Sequence, residues 1–302
     1  MSENDAKTCA HADCPLPPEA GSADCVLHST REGKGRVELA AGFARLHEAG
    51  VIRVQRLSLR GADLSGISLH LKNLQYSDLT GATLHNARLE KVGFDFSVLD
   101  GVNFESAILE KVDLRRVEGL QRCRWYETIF DGVQVPSVER VGLATPYDRD
   151  QPASDSAKAQ YVFRHFKELY KGAGDNEPAG RFYEREMDTK RVHGPMGERA
   201  WWWLLWATCG YGERPMRSAM MFFIIILGFA LAFLQCEVQT PSGPLNDIWT
   251  AVYFSTVTFA TVGYGEILPI SGPARLLVMV EALLGVFNIS LFVFVFCRRL
   301  ER

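Results

Sequence analysis

The chain has 302 residues, 47% of them apolar, and a formal charge of -3. That length accommodates a membrane module beside at least one soluble domain. With 33 basic against 36 acidic side chains, the balance excludes a general polyanion-binding surface, and seven scattered cysteines make no disulfide framework.

Residues 1–36 are rich in Asp, Glu, Ala and Pro and contain no apolar run of signal-peptide type, so the N-terminal part is expected to stay in the cytoplasm. Within it stand Cys9, His11 and Cys14, then Cys25 and His28. Thiolates and imidazoles suit zinc, and four of them close a tetrahedron. Cys9, Cys14, Cys25 and His28 are the best four for a Zn2+ site, with His11 spare. The leading expectation for residues 1–36 is nonetheless a flexible tail carrying these residues by chance, with the metal site as the sharper alternative. Residues 37–50 read as a capping helix, with Val37, Ala40, Ala41, Ala44 and Leu46 at helical spacing and Gly50 at its end.

From Leu59 a period of five takes over: Leu59, Leu64, Leu69, Leu74, Leu79, Leu84, Leu89, Phe94, Leu99, Phe104, Leu109 and Leu114. Small side chains such as Ala62, Ser77, Ala82 and Ala107 stand two places before many of these centres. Asp or Asn often falls between, as at Asp63, Asn73, Asp78, Asn103 and Asp113. Neither helix nor strand periodicity gives this spacing; a square coil with five-residue sides does. The stretch 51–136 resembles the pentapeptide-repeat family, and the resemblance implies a right-handed quadrilateral β-helix with four repeats per coil. Lys72 breaks the pattern once. At Gly119 the register slips by one residue before Trp125, Phe130 and Val135 resume it. Interleaved Arg88, Lys91, Lys111, Arg115 and Arg116 argue against imitation of duplex nucleic acid, leaving a scaffold or subunit-contact role and no nucleic-acid partner.

Residues 137–156, with Pro146 and Pro152, read as a linker, and 157–193 as a helical hairpin connector broken at Gly172–Asn176. In 198–212, Trp201, Trp202, Trp203 and Trp206 crowd an apolar run too short to span a bilayer, which suits an interfacial helix followed by a Gly210-Tyr211-Gly212 turn.

The last 88 residues, 215–302, contain two apolar segments of membrane length around Thr261-Val262-Gly263-Tyr264-Gly265-Glu266. Irregular backbone at that depth must line a water-filled path or be buried in protein. The segment resembles the selectivity filter of potassium channels, and the region resembles their two-helix pore module. That resemblance implies an outer helix at 216–236, a pore helix at 247–259, a filter at 261–265 and an inner helix at 274–297. Thr261, Val262, Gly263, Tyr264 and Gly265 would hold K+, Glu266 would form the rim, and Val286, Ile289 and Val293 would line the inner cavity and gate. Gly285 reads as a flexible point in the inner helix, and Glu281 as an ionisable group acting behind the filter. Arg214 and Arg217 before the first span, and Arg298, Arg299 and Arg302 after the second, place both termini in the cytoplasm.

The expectation is a multidomain, multi-pass protein of the plasma membrane: a cytoplasmic β-helix, a helical connector and an all-α pore completed as a homotetramer in the lipid bilayer. Its expected function is non-enzymatic, potassium-selective conduction, with the repeats as scaffold or gating regulator for an unidentified cytoplasmic partner. The alternatives are a membrane-anchored scaffold with a non-conducting pore, and a cation channel of broader selectivity.

Overall fold

The computed structural model describes residues 8–11, 14–70, 73–143, 147 and 153–300. Lys72, Arg302, Pro146, Pro152 and most of the expected linker's centre lie outside them. The chain divides into two compact units, Met1–Thr189 and Lys190–Arg302.

The first unit is built on the five-residue period. Strands β1 (Ser68–Leu69), β2 (Arg88–Glu90), β3 (Ile108–Glu110) and β4 (Ile129–Asp131) pair in parallel in that order. Their register sets Leu69 beside Leu89, Leu89 beside Leu109, and Leu109 beside Phe130. Isolated bridges join Arg53 to Asn73, Ser58 to Asp78 and Asp63 to Thr83 at the same twenty-residue offset. The path therefore returns over itself every twenty residues. The offset becomes twenty-one between Asn103 and Arg124, and a 3-10 turn at Leu120–Arg122 lies where the sequence slips. Gly119 opens that turn at φ 82, where a Cβ would stand 2.7 Å from the Asp100 nitrogen. Only glycine fits there without displacing backbone.

The centres Leu64, Leu84, Phe94, Leu99 and Phe104 are fully buried, as are Ala82, Val102 and Ala107 two places before a centre. Burying each large apolar side chain contributes roughly 1.5–3 kcal/mol. Asp63, Asp78, Asn103 and Asp113 each accept, through Oδ1, the main-chain N–H two residues on, at 2.9–3.0 Å. Two places past many centres the backbone is left-handed, and not only at glycine: Tyr76, Asn86, Lys91, Phe96, Ser106, Lys111 and Glu127 have φ of 53–59°.

Both ends of the ladder are covered. The segment expected to be a flexible tail is packed across its described part: Cys14, Leu16, Cys25 and Leu27 belong to the main core. The Leu27 carbonyl accepts from Ser58 N at 3.1 Å and the Lys34 carbonyl from Asp63 N at 2.9 Å. These residues thus satisfy main-chain donors of the first coil that would otherwise face solvent. Helix α1 (Arg36–Glu48) buries Leu39, Gly42, Phe43 and Leu46. Val37, Ala40, Ala41 and Ala44, expected as its apolar face, are exposed, because Leu39, Phe43 and Leu46 offer far more apolar area than three alanines. At the other end, after the short helix α2 (Val138–Val141), helices α3 (Ala153–Gly172) and α4 (Asn176–His193) bring aromatic rings onto the last coil. Trp125 stacks on Phe104 at 4.6 Å and meets Phe166 edge-on at 5.8 Å. Phe166 in turn stacks on Phe182 at 5.3 Å.

In the second unit α5 (Met196–Cys209) leads through a tight turn to α6 (Pro215–Phe233), which opens on proline where a helix tolerates it. A three-stranded antiparallel sheet, β5 (Val238–Thr240), β6 (Gly243–Pro244) and β7 (Leu268–Pro269), ties the approach and the exit of the glycine-bearing segment together. Between them runs α7 (Ile248–Phe259), and α8 (Gly272–Leu300) closes the unit. α6 and α8 are both long and apolar enough to cross a membrane. Their shared core with α7 includes Ala230, Phe233, Ala251, Phe254 and Ala274.

Candidate functional site

α7 is started by Asp247, whose carboxylate accepts from Thr250 N at 2.8 Å and from the Thr250 hydroxyl at 3.0 Å. It ends at Phe259, and the backbone then turns left-handed at Thr261 (φ 54), Gly263 (φ 59) and Gly265 (φ 81), but not at Val262 or Tyr264. Alternation of hand brings neighbouring main-chain groups to one side of a segment. Residues 261–266 are all exposed on the single chain. The Tyr253 hydroxyl donates to the Glu266 carboxylate, fixing the segment's C-terminal end to α7. The other glycine-tyrosine-glycine in the chain behaves differently. Gly210, Tyr211 and Gly212 are left-handed consecutively and all buried, a compact turn rather than an open strand.

Behind the segment α8 meets α7 at two points four residues apart on each helix. Glu281, fully buried, contacts the Ser255 hydroxyl, which also lies 2.9 Å from the Ile226 carbonyl. At Gly285 a Cβ would stand 2.1 Å from the Phe259 carbonyl oxygen. Gly285, expected as a flexible point, lies at a close approach of the two backbones, and α8 runs through it unbroken. Ser255 is a partner that sequence reasoning missed; only the unpaired Glu281 signalled that one was needed.

Val286, Ile289 and Val293 form a neighbouring stripe on α8 and are 52%, 39% and 52% exposed. Phe223, Ile224, Leu227 and Leu231 of α6, and Leu283 and Phe287 of α8, are likewise exposed. So large an apolar surface calls for lipid or other protein. Around α5, the Arg191 guanidinium lies 4.3 and 4.7 Å from the ring centroids of Trp203 and Trp206, and that of Arg217 4.6 Å from Trp206. Cations on indoles stabilise an amphipathic helix of this kind.

The second site is in the first unit. The ligand atoms of Cys9, Cys14, Cys25 and His28 all lie within 4.8 Å of one another and all four residues are buried. Cys14 Sγ and Cys25 Sγ are 3.6 Å apart, and His28 Nδ1 is 3.5 Å from Cys9 Sγ and 3.3 Å from Cys25 Sγ. A tetrahedron with zinc–sulfur bonds of about 2.3 Å has edges of roughly 3.8 Å, so the spacing fits a metal ion. His28 Nε2 donates to the Gln55 carbonyl at 3.0 Å, leaving Nδ1 to face the thiols. Burial pushes the Cys25 thiol up to about 12 and lowers the His28 imidazole, which favours neutral groups where no ion compensates them. His11 stacks on His28 at 4.1 Å and stays outside the four. These residues could bind a metal ion.

Residues 219–302 match the ion-channel family, and residues 55–90 and 77–116 match pentapeptide repeats in eight copies. The inward rectifier potassium channel Kirbac3.1 of Paramagnetospirillum magnetotacticum is 35% identical over 93 residues, 28% of this chain and 32% of that one. The calcium-gated potassium channel TvoK of Thermoplasma volcanium is 33% identical over 97 residues, covering 30% of this chain and 28% of its own. A two pore potassium channel of Oryza sativa is 32% identical over 74 residues, covering 24% and 21%. The chain thus spans about a third or less of the length of these curated relatives. It carries a C-terminal ion-channel-like domain and an N-terminal pentapeptide-repeat domain, related to prokaryotic potassium channels, and the likeness supports a channel function of a general, non-catalytic kind.

Proposed function

We propose that the protein is a potassium-selective channel in which four chains set their Thr261–Gly265 segments around one axis. The carbonyls of Thr261, Val262, Gly263 and Tyr264, with the Thr261 hydroxyl, then replace the water shell of a dehydrated K+ ion. The observation that carries this is the alternation of hand at Thr261, Gly263 and Gly265, directly after a capped helix and between two helices of membrane length. One chain offers one side of a ring, and a closed ring requires rotational symmetry. The exposed apolar faces of α6 and α8 give it surface for neighbouring copies and for lipid.

In this reading Glu266 raises the cation concentration at the rim. Val286, Ile289 and Val293 line an apolar vestibule that closes by dewetting. Both termini lie in the cytoplasm of a plasma-membrane channel. The twenty-residue return of the repeats supports a right-handed quadrilateral β-helix serving as scaffold or gating regulator, and the donor set of three cysteines and a histidine supports zinc.

Purified protein in liposomes with unequal K+ and Na+ should give a reversal potential that follows K+. Gly263→Ala should abolish or unselect conduction while cross-linking still yields tetramers, because its left-handed backbone suits glycine. Phe259 and Ala260 precede Thr261 where the resembled family often has further threonine. Equal K+ and Na+ permeability would therefore replace this conclusion with a broader cation channel. No flux from an intact tetramer would replace it with an anchored scaffold.

A further inference from the structure

Lys34 is fully buried. Its ammonium donates to the Ser29 carbonyl at 2.6 Å and to the Ser58 carbonyl, and these dipoles engage two of its three hydrogens without neutralising its charge. Among the described residues it makes no ion pair: Glu19 and Glu38, the carboxylates of its surroundings, are bound to Arg31 at 3.1 and 2.6 Å. Burial pulls the ammonium below its ordinary range. A charge held this way needs an opposite charge near it.

The contacts of Lys34 lead to one. Ser29 follows His28, and its N–H donates to the Cys25 carbonyl at 2.8 Å. The carbonyl that Lys34 holds therefore ends the turn carrying two of the four clustered ligands. Ser58 lies three residues after Gln55, whose carbonyl accepts the hydrogen bond from His28 Nε2. Lys34 and the cluster join the same two stretches of chain.

We propose that Lys34 is the counter-cation of the Cys9, Cys14, Cys25 and His28 centre, and that the centre takes a divalent, thiophilic metal ion whose three-thiolate complex it balances. Three thiolates and a neutral imidazole around a divalent ion carry one net negative charge, which one ammonium cancels; a monovalent ion would leave a surplus and a trivalent ion would leave the ammonium alone. The inference rests on the metal reading above and adds its charge class and its partner. Metal binding and the docking of residues 27–34 on residues 58–63 then form one coupled event.

The test uses full-length protein purified without chelator or metal-affinity resin. Wild type should hold about one zinc per chain. In chelator competition, Lys34→Met and Lys34→Gln should bind zinc about 10–100-fold more weakly. Both should melt lower than wild type only when zinc is present. In zinc-stripped protein they should melt at the wild-type temperature or above, since an unbalanced charge has been removed. The glutamine variant retains a donor for the two carbonyls and carries the test if the methionine variant fails to fold. Wild-type zinc affinity in both variants, or an equal fall in melting temperature with and without zinc, would overturn the role of Lys34 and leave the metal site standing. No zinc in wild type, and no effect of zinc on its melting, would remove the metal site and with it the role of Lys34.

Discussion

Asp63 and Asp113 show how a single recurring side chain shapes the coil. Each accepts a main-chain N–H two residues on, closing a local turn within the repeat. Hydrogen bonding from Ser65 lowers the Asp63 carboxyl, and the Arg115 side chain and then its N–H lower that of Asp113. A carboxylate whose folded value is depressed contributes stability that is present above its unfolded value of about 3.9 and is lost as pH falls through the folded value. The melting temperature should therefore fall below about pH 4, and the double variant Asp63→Asn, Asp113→Asn should show a shallower fall. Parallel curves from pH 6 to pH 3 would remove these carboxylates as a cause. The spacing of Asp and Asn was visible in the sequence, but the left-handed backbone at Tyr76, Lys91, Phe96 and Lys111 was not. Nothing in those side chains favours that conformation, which costs about 1–2 kcal/mol per residue. It recurs two places past the centres of the five-residue period.

Between elements, the seam of α7 on α8 turns on Gly285 and its contact with Phe259. An alanine in place of a glycine inside a helix normally stabilises by about 1 kcal/mol. At Gly285 the sign should reverse, because the added carbon meets the Phe259 carbonyl rather than solvent. Gly285→Ala should destabilise the purified protein by roughly 1–3 kcal/mol and impair ion flux, since Phe259 lies two residues before Thr261. A raised melting temperature with flux intact would mean that this contact does not constrain the seam. The positions of α6 and α8 were legible because apolar run length is a local signal, and that of α7 came from the resemblance. The contacts of Glu281 with Ser255 and of Gly285 with Phe259 were not. They depend on the crossing of two helices, which no spacing within either one specifies. The buried face of α1 was misjudged for a related reason: alanines fit a helical stripe as well as leucines do, and only burial separates them.

Over the whole first unit, the period of five was the most legible feature, because one repeating demand recurs at every side of the path. A charge at a centre should therefore be costly: Leu99→Lys is expected to destabilise the full-length protein by about 4 kcal/mol. Hydrogen exchange across residues 59–114 would register this as lost protection, and unchanged exchange would mean that Leu99 does not face inward. What the period could not disclose is how the stack ends, since the residues that close it, Leu27 and Lys34 on one side and Phe166 and Phe182 on the other, follow no repeat. Separate ends and a uniform middle have a consequence for how such a domain changes length. The twenty-residue register leaves few permissible insertions: a single extra residue is absorbed at the Gly119 turn, and otherwise a complete circuit must be added. Duplicating residues 79–98 should extend the stack by one strand spacing, about 4.8 Å, and leave both closures chemically unchanged. The length of the repeat region can therefore change in whole circuits and not between them.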